Sequence, residues 1–223
     1  MFFVLGKTIF FILAKAQAKN YNLNILFPQK KTDVSERFYM SKNILVLTGS
    51  PRQLGNSALL ADAFIQGAKF AGHTVQVFET AFHPVLPCHA CDKCWSAKEP
   101  CVFKDNFEKL APMLEEADML VFCTPLYWFT MSAQLKSAID KLYAYMKDIA
   151  PRKLKIKECV LLAAAEGSEK DGDYDGLKAT YHSIANYLGW QDRGMILAGG
   201  VGEPGEIIKT GKLKEALEFG KTM

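Results

Sequence analysis

From residue 43 onward the chain alternates short apolar runs with amphipathic stretches. Ile44-Leu45-Val46-Leu47 is apolar throughout, the length of a buried strand and too short for a helix. A Gly/Ser/Pro loop follows, and then an amphipathic stretch over 57–71 that Gly72 stops. Thr74 to Phe78 alternates in polarity and predicts a second strand. A Cys-rich loop fills roughly 83–105, and 106–117 reads as a helix that Pro112 should kink or divide. Met119 to Cys123 is a third strand, ended by Thr124-Pro125, and 133–146 is helical. The pattern then gives a strand at 159–163, a helix at 174–188, a fifth strand at 195–197 and a last helix through 213–217.

Continuous apolar strands separated by helices imply a parallel sheet covered on both faces. Right-handed crossovers leave few topologies. Five strands with loops at their C-terminal ends suit a flavodoxin-like α/β fold. That is a doubly wound, three-layer αβα sandwich with its ligand at a switch point outside the strand ends.

Residues 1–39 do not share this pattern. Short apolar runs are broken by Lys7 and Lys15, and the stretch from Asn20 to Tyr39 is mostly polar and contains Pro28. A signal peptide with a short apolar core, an appended or membrane-surface helix, and a start-site artefact compete here. The artefact is favoured, because Met40 immediately precedes the first strand and Glu36 to Met40 can be encoded as a purine-rich ribosome-binding site. The expected division is therefore an extension over 1–39, artefactual or disordered, and one domain over 40–223.

Composition sharpens the division. The chain of 223 residues is 49% hydrophobic and 23% charged, which excludes disorder as its main state. Residues 1–39 carry six Lys/Arg and two Asp/Glu, a net +4 of the total +3, leaving −1 for the body. A near-neutral body lacks the basic footprint of a nucleic-acid binder. No apolar run reaches the length of a membrane span, so a cytoplasmic protein is expected.

Three loops carry candidate chemistry. Gly49-Ser50-Pro51-Arg52-Gln53-Leu54-Gly55-Asn56-Ser57 follows a strand and opens a helix, an arrangement that aims backbone N–H groups and the helix dipole at an anion. Ser50, Asn56 and Ser57 can donate to a phosphate and Arg52 can add a charge-assisted bond, while Asn56 or Ser57 also suits the N-cap. An ordinary βα turn is the plain alternative. A nucleoside-triphosphatase loop is excluded, since no Gly-Lys-Ser/Thr follows. Thr124 to Ser132 places three consecutive aromatics, Tyr127-Trp128-Phe129, at the sheet edge. They would line a flat apolar slot beside the first loop, or fold onto their own helix. Gly200-Val201-Gly202-Glu203-Pro204-Gly205 matches the dinucleotide pattern G-x-G-x-x-G, but too little chain follows for a βαβ unit, so it reads as a flexible loop.

Residues 43–146 resemble the NAD(P)H-dependent FMN reductases of the flavodoxin-like superfamily. The motifs are Gly49-Ser50-Pro51-Arg52 with Gly55-Asn56-Ser57, and Thr124-Pro125-Leu126-Tyr127-Trp128 followed by Ala133-Gln134-Leu135-Lys136 and Ile139-Asp140. The resemblance implies FMN, its phosphate on Ser50, Arg52, Asn56 and Ser57 with Ala58 alongside. The flavin ring would lie against Pro125, Leu126, Tyr127, Trp128 and Phe129, with Ala165, Glu166 and Gly167 on its other side. It implies NAD(P)H as co-substrate and a quinone, flavin, nitro-compound or iron–sulfur acceptor. It also implies a homodimer or homotetramer with the flavin near the interface. No catalytic acid or base is expected, because the cofactor carries the chemistry.

Cys88-x-x-Cys91-x-x-Cys94-x6-Cys101 is similar to the motif of iron–sulfur flavoproteins, a branch of the same family, and implies a [4Fe–4S] cluster on these four thiols. Zinc, with His83 or His89 nearby, and an unliganded redox-active loop remain alternatives. Asp105-Asn106-Phe107 departs from the family, which commonly shows a second acidic residue there. Cys123 and Cys159 lie in apolar strands and are expected in the core. Two other functions compete with the oxidoreductase: a flavodoxin-type electron carrier and a thiol redox sensor.

Overall fold

The computed structural model describes residues 41–97, 99–146 and 150–223. The expectations for 1–39 lie outside the described residues. Within them the elements run β1 (Asn43–Thr48), α1 (Asn56–Phe70), β2 (Thr74–Glu79), α2 (Phe107–Glu116), β3 (Met119–Tyr127), β4 (Thr130–Met131), α3 (Ala133–Asp140), β5 (Glu158–Ala164), α4 (Asp175–Leu188), β6 (Gln191–Ala198) and α5 (Lys212–Gly220). The sheet order is β2-β1-β3-β5-β6, with every one of these pairings parallel. This is the expected doubly wound fold. The chain leaves β1 in one direction to β2 and returns to its other side as β3, so the switch point lies between β1 and β3.

Strand periodicity sorts the core into two layers. Leu45, Leu47, Leu120, Phe122 and Leu161 face α2, α3 and α4, meeting Leu110, Leu114, Leu135 and Leu177. Ile44, Val46, Val121, Val160 and Leu162 face α1 and α5, meeting Leu60, Phe64 and Ala216. Both faces of each central strand are buried, which is why these strands read as unbroken apolar runs. Each fully buried Leu, Ile or Phe contributes about 1.5–3 kcal/mol by leaving water. Cys123 and Cys159 sit in this core at 1% and 0% exposure.

Neither of two prolines breaks its element, each for a physical reason. Pro112 neither ends nor divides α2, which runs unbroken from Phe107 to Glu116. Its ring is exposed, as is Glu108, whose carbonyl loses its helical partner to the proline. Thr124-Pro125 does not end β3, which continues to Tyr127. The Cys123 carbonyl accepts from Gly49 N, so Cys123 and, two residues on, Pro125 direct their backbone groups toward the β1 side. The β1 ladder stops at the Thr48–Cys123 pair, while pairing with β5 reaches Pro125–Ala164. The missing proline N–H therefore costs the sheet no bond. The stretch 133–146 divides into α3 and a tighter 3-10 segment, Lys141–Tyr145.

Candidate functional site

The first loop leaves β1 at the switch point. Gly49 N donates to Cys123 O at 2.8 Å, Ser50 Oγ accepts from Arg52 N at 3.1 Å, and Gly55 N donates to Arg52 O at 2.9 Å. These bonds fold the loop back over the start of α1. The N-cap is Gly55, with no side-chain capping bond, rather than Asn56 or Ser57. The first turn of α1 also holds no acidic residue. Its N–H groups and dipole therefore face outward unneutralised by their own helix, as an anion requires. Ser50 and Ser57 are buried beneath this turn, Ala58 is half-buried, and Arg52 is exposed at the loop's rim.

Ser132 joins this loop to the next. Its hydroxyl donates to Gly49 O at 2.8 Å and caps α3 by accepting from Leu135 N. Its own N–H donates to Thr124 Oγ1 at 3.0 Å. Gly49 is required here by close approach: a Cβ would overlap Ser132 Oγ and come within 2.8 Å of Leu135 Cβ. The sequence signal for Ser132 was modest, a serine just ahead of a helix, and its link to Gly49 crosses 83 residues.

Beyond Pro125 and Leu126 the chain forms a β-hairpin instead of an open loop. Leu126 pairs with Met131 and Tyr127 with Thr130, leaving Trp128-Phe129 as the two-residue turn. Both turn residues have positive φ, 48° and 65°, as a type I′ turn demands. Asn-Gly adopts that geometry readily, whereas two bulky aromatics resist it at a cost on the order of 1–3 kcal/mol each. Trp128 is 92% exposed and Phe129 56%, so the turn is not held by burial of its rings. Helix α4 holds it from behind: a Cβ on Gly176 would lie 2.6 Å from Phe129 O.

Opposite the hairpin, the loop after β5 carries Ala165, Glu166 and Gly167. Ala165 N donates to Ala198 O at 3.0 Å, and Ser168 N to Asp173 Oδ2 at 2.8 Å. The loop from Gly200 to Gly205, expected to be flexible, is packed in place with the residues that follow it to Ile207. Val201 is 3% and Ile207 0% exposed, Val201 N donates to Ala165 O, and Gly200 N donates to the carbonyls of Glu166 and Gly167. Asn56, expected as a phosphate donor, spends its carboxamide on this same segment.

Three elements thus lie at the C-terminal edge of β1, β3 and β5: the turn from Gly49 to Ser57, an aromatic hairpin and a backbone loop. A family model described as flavodoxin-like fold matches residues 42–219. The chain belongs to the flavodoxin-like family. An iron–sulfur flavoprotein of Archaeoglobus fulgidus is 30% identical over 99 residues, 44% of this chain and 44% of its own length. The chain thus matches less than half of that relative. A Bacillus subtilis protein named for NAD(P)H-dependent, FMN-containing oxidoreductase activity is 26% identical, covering 74% of this chain and 89% of its own. Among solved structures, an NAD(P)H:quinone oxidoreductase from Methanothermobacter marburgensis superposes with a TM-score of 0.65. It covers 82% of this chain and 96% of its own at 22% identity, a likeness that speaks to fold.

The flavodoxin-like body carries the Cys loop on the α2–α3 side. Cys88, Cys91, Cys94 and Cys101 line one small cavity together with Lys141 and Tyr143. Burial, and then the neighbouring Cys88, Cys91 and Cys101, push the Cys94 thiol up. The loop is closed at its base by Asp105, which accepts from Leu86 N and Phe107 N at 2.8 Å each and pairs with the buried Lys141 at 2.5 Å. Trp95 lies against Tyr143 with ring centroids 4.6 Å apart. No three His, Cys, Asp or Glu side chains among the described residues converge as a single metal ion requires. His83 packs against Phe78 and His89 stacks on Phe103. No disulfide links any of the six cysteines.

Proposed function

We propose that this chain is an FMN-dependent NAD(P)H oxidoreductase that passes electrons to a small acceptor such as a quinone. The observation that carries the reading is the juxtaposition of an uncapped helix start with an aromatic hairpin across the switch point. Relatives and structural neighbours named for FMN-dependent NAD(P)H, quinone and azo reduction support it. Ser50, Ser57, Ala58 and the α1 backbone would hold the phosphate, with Arg52 as the charged partner. Pro125 to Phe129 and Ala165 to Gly167 would bracket the ring. Once bound, FMN supplies a ring that takes hydride from a nicotinamide and hands electrons on singly or in pairs. The chain's own part is placement: Ser132 fixes the distance between phosphate turn and hairpin, and Gly176 fixes the hairpin's tilt.

The exposed Trp128-Phe129 tip supports a homodimer or homotetramer, since an isolated chain leaves that apolar turn in water. No helix among the described residues is long and apolar enough to cross a membrane. A cytoplasmic setting, where thiols stay reduced, agrees with the unpaired cysteines.

The test is anaerobic mixing of the flavin-loaded protein with NADH or NADPH. Rapid bleaching of the flavin, reversed by added quinone, is expected. A bound flavin that neither nucleotide reduces would instead establish an electron carrier.

A second reading rests on the four thiols that share one cavity. In a [4Fe–4S] cluster each thiolate binds a different iron, so the donors need not converge on a point. Cys88, Cys91, Cys94 and Cys101 would hold such a cluster, which would supply one-electron chemistry beside the flavin. Protein reconstituted without oxygen should then contain iron and acid-labile sulfide, and lose both when the four cysteines become serine. Wild-type protein that takes up no iron rules the cluster out.

A further inference from the structure

We propose that Asn56 is a positioning residue, the pin that couples the segment 201–207 to the phosphate turn, so that this segment sets FMN affinity without touching the flavin. The inference rests on the FMN reading and extends it to a loop outside the two family motifs.

Asn56 opens α1, directly after the turn, and is 8% exposed. Its Nδ2 donates to Val201 O and Glu203 O at 3.0 Å each. Its Oδ1 accepts from Gly205 N at 3.0 Å and Ile207 N at 3.2 Å. Both donors and both acceptor sites of the carboxamide are thereby used. The pattern fixes which way the amide faces, since a flipped group would set NH2 against two N–H donors. Nothing of this side chain is left for an anion; only its backbone N–H can serve one.

The segment is tied at its other end to the ring wall. Val201 N donates to Ala165 O at 2.8 Å, and Gly200 N to Glu166 O and Gly167 O at 3.1 Å each. Within it, Glu203 N donates to Glu206 Oε2 at 2.9 Å. Residues 200–207 therefore bridge the loop that brackets the ring and the helix start that meets the phosphate. Truncating Asn56 strands two N–H donors and two carbonyls, at least one of each buried, and their desolvation would drive the segment off α1. The first turn of α1 would lose its lateral support while α1 itself, anchored by Leu60 and Phe64 in the core, would stay.

The experiment compares wild type with Asn56→Ala and Asn56→Ser, each as the full chain. Hydrogen exchange on the FMN-saturated proteins should rise about tenfold or more at 201–207 in both variants, the loss of one to two buried hydrogen bonds. Equilibrium titration should show FMN weakened by about tenfold or more, with riboflavin, which lacks the phosphate, changed by less than about threefold. Serine should do no better than alanine. Its hydroxyl can still donate to an anion at the helix start but cannot span to Val201 and Gly205.

Rescue by serine, or equal loss of FMN and riboflavin, would overturn the proposal, as would unchanged exchange. Wild-type protein with no preference for FMN over riboflavin is a separate outcome that removes the FMN reading itself. If the Asn56 variants do not fold, Glu206→Ala loosens the same segment from its solvent side. It must then show the same selective loss of FMN at smaller size, or the proposal fails.

Discussion

The turn from Gly49 to Ser57, proposed to meet the phosphate, and the aromatic hairpin stand on opposite sides of one switch point and are built by opposite means. The turn is made of small polar residues whose hydrogen bonds are internal and mostly buried: Ser50 to Arg52, Asn56 to 201–207, Ser132 to Gly49. Its backbone is relaxed, and Gly55 enters the helix at φ −66°. The hairpin puts large apolar rings in water on a backbone that such residues resist, and is kept there by a helix pressed against its carbonyl. On the proposed function, the difference corresponds to the two halves of a flavin. A phosphate is recognised by fixed dipoles and needs rigidity. A ring approached by successive planar partners needs exposed apolar surface, which costs stability in the unliganded chain.

The comparison breaks most sharply at the one point where the two regions are joined. Gly49→Val would force Ser132 away and remove the bond that links turn to hairpin. It should destabilise the fold by about 3 kcal/mol or more, from overpacking and a lost buried hydrogen bond, read by urea unfolding. Next in size is Gly176→Ala. A methyl group 2.6 Å from Phe129 O must push the hairpin aside, a strain on the order of 1–3 kcal/mol. FMN and riboflavin should weaken together, since only the ring wall moves; selective loss of FMN would place Gly176 with the phosphate turn instead.

Replacing Trp128-Phe129 by Asn-Gly sharpens the contrast from the other direction. The turn would then favour the geometry it already has, and stability should rise by about 1 kcal/mol while nicotinamide turnover falls. A fall in melting temperature would show that the rings contribute more packing than their exposure suggests. The smallest effect is expected from removing residues 1–39. A chain beginning at Met40 should keep its flavin and change in stability by less than about 0.5 kcal/mol, measured by thermal unfolding. A larger loss would mean that the segment packs on the flavodoxin-like body.

The parts of the fold legible in the sequence were those fixed by local pattern. Ile44 to Leu47 and Met119 to Cys123 are apolar at every position because both faces are covered, and no other placement suits such runs. The Gly49 to Ser57 turn was visible because its small residues are close together in sequence. The hairpin was not: Trp-Phe carries no turn signal, and Pro125 suggested an end where the neighbouring strand merely stops. Asn56 was assigned to an anion because its partners lie about 145 to 151 residues away, beyond any local pattern. Asp105, whose neighbour Asn106 stands where the family commonly shows a second acidic residue, proves to be the clasp of the Cys loop.

The division of labour between turn and hairpin is tested most directly by titrating the flavin-free full chain with FMN and with riboflavin. The two ligands share the ring and differ in the phosphate. FMN is expected to bind tighter by about a hundredfold or more, as two charge-assisted hydrogen bonds would give, with Arg52→Ala removing about tenfold of that preference and leaving riboflavin unchanged. Equal affinity for the two flavins, or binding of neither, would contradict the assignment of the turn at Gly49 to Ser57 to a flavin phosphate.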